Sequence, residues 1–125
     1  MTASAPPLFT DAWLAACNAA LEGVAGPEDG RALVVTELVA DAPPGAHGEI
    51  TFVADEHGVR LVTDADVAPS AWLTVSMRDA EALHEGSLDP ATALAEGRVR
   101  VRGDLRAIVE AVSVLAAAHA RLRAR

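Results

Sequence analysis

The side chains able to do chemistry are few and scattered. Histidines stand at His47, His57, His84 and His119, and no two share the His-x-x-x-His or His-Glu-x-x-His spacing of a metal site. Cys17 is the single cysteine, so no internal disulfide and no Cys-x-x-Cys pair exists. It occupies an apolar position of a helical pattern and reads as a small buried hydrophobe, with a reactive thiol as the alternative. Ser76, Ser87 and Ser113 lack the Gly-x-Ser-x-Gly elbow that exposes a nucleophile. Gly97 and Gly103 are not followed by the lysine of a phosphate loop. Asp79, Glu81 and Glu85 share one short helical segment, which is how a solvated helix face ordinarily looks. No catalytic residue, no metal and no cofactor is therefore expected. Two histidines have a definite place. His84 precedes Gly86 at a helix end, where it is expected to satisfy terminal carbonyls. His119 falls on the apolar stripe of the last helix, either as a polar tip in a cavity that contacts a ligand hydroxyl or as a partly exposed helix-terminal residue.

The elements that must position these residues follow from spacing. Residues 1–9 contain Pro6-Pro7 and read as a flexible lead-in, with one domain over 10–125. Thr10 caps a helix with apolar residues at Trp13, Leu14, Cys17, Leu21 and Val24, stopped by Gly23 and Gly26-Pro27. Leu33 to Val39 is short and β-branched, a strand. Ile50 and Phe52 alternate with polar residues. A tight turn at Asp55 to Gly58 leads to a returning strand with Val59 and Leu61. Ala71 to Met77 reads as a fourth strand and Arg78 to Glu85 as a two-turn helix. Asp89-Pro90 starts a second short helix that ends at Gly97. Arg98 to Arg102 alternates strictly as a fifth strand, and Asp104 caps a long last helix. The row Arg98, Arg100 and Arg102 is expected on the solvent face, paired with acids such as Glu49 or Glu37, or docking an acidic partner or lipid headgroup.

Composition bounds the function. The chain of 125 residues is 51% hydrophobic but has only Phe9, Trp13, Phe52 and Trp72 as aromatic rings, so its interior is aliphatic. A net charge of −8 repels phosphate-rich partners, and nucleic acid is excluded as a partner. No apolar run is long enough to cross a bilayer, and the first residues carry Asp11 and no basic residue. Stable membrane insertion and a secretory signal are therefore not expected, and a cytoplasmic location follows by default.

The stretch Trp72 to Asp104 combines an apolar strand, Asp-Ala-x-x-Leu-x-x-Gly, Leu-Asp-Pro and Gly-Arg-Val-x-Val-x-Gly-Asp. It resembles the sterol carrier protein type 2, or nonspecific lipid-transfer, family. The fold class expected is α+β: a five-stranded, mixed but mostly antiparallel sheet with helices on one face. The resemblance implies strand order 3-2-1-4-5, an apolar tunnel between sheet and helices, and the last helix as one wall. The sheet's inner face would present Val34, Leu38, Ile50, Phe52, Leu61, Leu73, Val75, Val99 and Val101. The parity of the first strand stays open, since Val35 and Val39 are apolar too. Leu83, Leu88 and Leu94 of the short helices lie across from it, with Leu105, Ile108, Val109, Val112 and Leu115 of the last helix. The chain departs from the family's pattern in being poor in Phe and Met and in lacking a lysine rim.

The resemblance implies a hydrophobic small molecule as partner: a fatty acid, an acyl-CoA, a sterol or a terpenoid. About ten buried methylenes would gain on the order of 8 kcal/mol gross. Association costs reduce that to micromolar affinity with little selectivity. Two other readings stand beside the carrier. One is a dimerisation or accessory interaction module without ligand, with a homodimer as one form. Trp72, whose parity differs from Leu73 and Val75, is expected outside the main core, at an oligomer contact, or as a lid or wall piece beside Trp13. The other is a repurposed enzyme that shapes a hydrophobic substrate, using His119 or an acid at the pocket mouth.

Overall fold

The apolar periods of the chain resolve into four helices and five strands in a computed structural model, which describes residues 6–27 and 31–123. Helix α1 (Asp11–Ala20) begins where the Thr10 side chain accepts a hydrogen bond from the Trp13 amide at 3.2 Å. It ends at Ala20 with Leu21 as its cap, earlier than spacing through Val24 suggests. Four strands follow: β1 (Leu33–Val39), β2 (Glu49–Asp55), β3 (Gly58–Val62) and β4 (Ala71–Val75). Helices α2 (Met77–Glu85) and α3 (Pro90–Ala95) lead to β5 (Val99–Gly103) and the long α4 (Leu105–Arg123).

The sheet order is β3-β2-β1-β4-β5, as the resemblance implies. Only β1 and β4 pair in parallel, so the sheet is mixed and the fold is α+β. Register decides which side chains meet the helices. Val35 lies opposite Phe52, Glu37 opposite Ile50 and beside Leu73, and Val39 beside Val75. Val35 and Val39, not Val34 and Leu38, therefore join Ile50, Phe52, Leu61, Leu73, Val75 and Val99 in the core. Val34 and Thr36 on the opposite face are also buried, at 3 and 4% exposure, so this central strand carries no alternation to read. The Thr36 and Thr51 hydroxyls, 2.9 Å apart, hydrogen-bond on that outer face.

Several boundaries differ from expectation. β4 stops at Val75, because the Ser76 side chain turns to accept from the Asp79 amide at 3.2 Å and α2 starts at Met77. The Met77 amide donates to Asp41 Oδ1 at 2.6 Å. β5 begins at Val99 and includes Gly103. The supposed lead-in is packed by its end: Leu8 and Phe9 are buried, at 7 and 0%, while residues 1–5 lie outside the described residues. Asn18 fastens α1 to the sheet by bonding both backbone groups of Leu61, donating at 3.1 Å and accepting at 2.8 Å.

Candidate ligand-binding site

Helix α4 lies over the sheet with Ile108, Ala111, Val112 and Leu115 buried beneath it. Between α4, the short α3 and strands β4 and β5 the packing leaves an apolar cavity of about 120 Å³. Its floor is Leu73, Val99 and Val101; its sides are Leu83, Leu94, Pro90 and Ala91; its roof is Leu105, Ile108, Val109 and Val112. Leu105 and Val109 are 44 and 40% exposed, so this apolar rim meets water. A much smaller space of about 10 Å³ lies deeper along the sheet. It is lined by Glu37 together with Val35, Ile50, Phe52, Leu61, Leu73, Ala111, Val112 and Leu115. Leu73 and Val112 border both spaces.

The predicted wall residues therefore divide. Leu73, Leu83, Leu94, Leu105, Ile108, Val109 and Val112 surround the larger cavity, and Phe52 and Leu115 the smaller. Val75 and Leu88 are buried core residues that border neither. His119 is buried too and also borders neither. Its Nδ1 accepts from the Trp13 indole N–H at 3.2 Å. Since an indole only donates, Nδ1 carries no proton in this bond.

The polar side chain that reaches the smaller, deeper space is Glu37, which the sequence suggested as an outward partner for the arginine row. Its position on the central strand, between Ile50 and Leu73, turns it inward, and its side chain is 9% exposed. His84 meets it there. The imidazole, 2% exposed, donates from Nε2 to Glu37 Oε1 at 3.2 Å instead of serving helix-end carbonyls. The turn at Gly86, with φ +82°, closes α2 by backbone bonds and leaves the ring free to point at the sheet. Phe9 and Trp13 stand edge-on to that ring, at centroid distances of 5.3 and 5.5 Å. His119 lies 6.4 Å from it. Among the described residues, Glu37 Oε2 and His84 Nδ1 have no hydrogen-bond partner. The only sequence signal for this pair is one Glu inside an otherwise apolar and Thr run, LVVTELV.

The arginines find other partners. Arg98 holds Asp79 at 2.6 Å and Glu96 at 3.4 Å, and its hydrogen bonds keep the Asp79 carboxyl below the usual carboxylate range. Arg102 lies over the Trp72 ring, 5.3 Å from its centroid, on the outer face. Burial pushes the Cys17 thiol up to about 12, which keeps it protonated and unreactive. Among the described residues no group of three metal-ligating side chains comes together, and no helix is long and apolar enough to cross a membrane.

Comparison with known proteins places this architecture. No curated protein matches the chain. Sterol carrier protein 2 from Yarrowia lipolytica, in its apo form, is 12% identical with a TM-score of 0.57, covering 95% of this chain and 98% of that one. The sterol carrier protein domain 2 of Helicoverpa armigera is 19% identical with a TM-score of 0.53, covering 99 and 97%. A sec-alkylsulfatase from Pseudomonas sp. is 14% identical with a TM-score of 0.61 over 84% of this chain. This chain spans only 16% of that enzyme and 13% of a sec-alkyl sulfatase double mutant, so the likeness is to one part of a longer protein. At these identities the likenesses concern the fold. A model of the SCP-2 sterol transfer family matches residues 33–116, and the chain belongs to that family.

Proposed function

We propose that this protein is a non-catalytic carrier that holds the aliphatic part of a small hydrophobic molecule in the cavity beneath α3 and α4. The observation that carries the reading is an apolar cavity with a water-facing rim at Leu105 and Val109. Aliphatic walls bind by removing methylenes from water, at about 0.8 kcal/mol each, and the partner needs no reactive group. A space of about 120 Å³ is close to the roughly 150 Å³ of an apolar cavity that takes a benzene-sized guest. A whole sterol needs more room than this. Acyl-CoA is disfavoured by its phosphates, given a net charge of −8. A single unbranched chain is the guest that fits best. Longer chains enter as α3 yields: it buries one residue, Ala93, and is the helix that loses least by moving.

The test fills the mouth. Val109 is already 40% exposed, so Val109→Trp can cover the opening without overpacking the core. Calorimetric titration with 1-decanol is expected to give micromolar affinity for the native protein and at least about tenfold weaker binding for the variant. Equal affinities would remove the cavity from the account.

A second reading is that of an accessory module whose exposed rim is covered by another protein. The match to a small part of a much longer sulfatase favours it. It predicts a decanol-insensitive protein, whereas the carrier reading predicts saturable binding by the isolated chain.

A further inference from the structure

We infer that the preferred guest carries a hydroxyl at the end of its chain, and that Glu37, positioned by His84, receives it. The inference rests on the carrier reading and adds the chemistry of the guest's head. Three observations converge. Glu37 lines the deep space of about 10 Å³, which is the volume of about one water-sized group. Its Oε2 is buried and has no hydrogen-bond partner among the described residues, while Oε1 is held by His84. Leu73 and Val112 border both that space and the larger cavity, and Leu73 sits beside Glu37 in the strand register.

A buried polar atom with an unused lone pair is costly, and the ligand that relieves it gains accordingly. A hydroxyl donates to the bare Oε2 of the Glu37 carboxylate and brings no second negative charge. A fatty acid brings a second carboxylate against Glu37, and like charges in a dry site repel. An ether of the same length offers no donor. The chain then lies between Leu105 and Val109 at the rim and passes Leu73 and Val112, with its hydroxyl innermost. The guest class is a long-chain primary alcohol.

The test compares 1-decanol, decanoate and decyl methyl ether by calorimetry at neutral pH, on the native chain, Glu37→Gln and Glu37→Leu. The native protein is expected to bind decanol about tenfold more tightly than either competitor. Glu37→Gln keeps shape and hydrogen bonding but removes the charge, so decanoate should rise to within about threefold of decanol. In Glu37→Leu decanol should lose its advantage over the ether. If Glu37→Leu does not fold, the ratios in Glu37→Gln decide. Equal binding of all three by the native chain would overturn the hydroxyl site and leave the carrier reading standing. An unchanged decanol-to-decanoate ratio in Glu37→Gln would overturn it as well. Binding of none of the three would overturn both readings.

Discussion

Replacing His84 with leucine would keep bulk against Phe9 and Trp13 but take away the partner of Glu37. A buried carboxylate left alone costs about 3–5 kcal/mol, so urea denaturation of His84→Leu should show a loss of that order. A loss under about 1 kcal/mol would mean that the pair contributes little. The sequence places His84 correctly at a helix end but cannot show what faces it. That depends on how α2 is turned against β1, which is set by contacts 47 residues apart in the chain. His119 teaches the same lesson. Its place on the apolar stripe of the last helix is legible, yet its hydrogen bond to Trp13 spans 106 residues and comes from a helix packed on α4 only in three dimensions. Cys17 was readable because helical spacing alone buries it.

At the scale of elements, caps and strict alternation carried the most information. Asp89-Pro90 announces α3, and the Asp89 carboxylate does accept from the Thr92 amide at 3.1 Å. The alternation of β5 correctly sends Val99 and Val101 to the core side, Arg100 and Arg102 to the other. β1 was not legible in this way, since apolar residues occupy both of its parities and only pairing with β2 and β4 selects the inner set. That choice turns Glu37 inward, so the polar group that lines the deeper space was hidden by the least periodic strand. The β4–β5 pair depends on Gly103. Its φ is +87°, and a Cβ there would stand 2.2 Å from the Ser70 carbonyl oxygen. Gly103→Ala should therefore destabilise the protein by about 2 kcal/mol or more, read as a lower urea midpoint. A neutral result would show that β4 and β5 separate freely at this end.

For the whole molecule, the sheet is a platform and α4 is the wall that makes a cavity from it. The motif run Trp72 to Asp104 contains β4, α2, α3 and β5, and these four elements with α4 enclose the larger space. That is why the family and the general location of the cavity could be read from one stretch of chain. Its size could not, because a small shift of α4 opens or fills such a space. A carrier of this build must admit its guest between α3 and α4. Methyl-resolved NMR during a 1-decanol titration tests this most directly. Saturable shifts should concentrate on the methyls of Leu73, Leu94, Val101, Val109 and Val112, while Val34 and Val53 on the outer face stay still. No saturable shift, or shifts centred on the outer face, would contradict it.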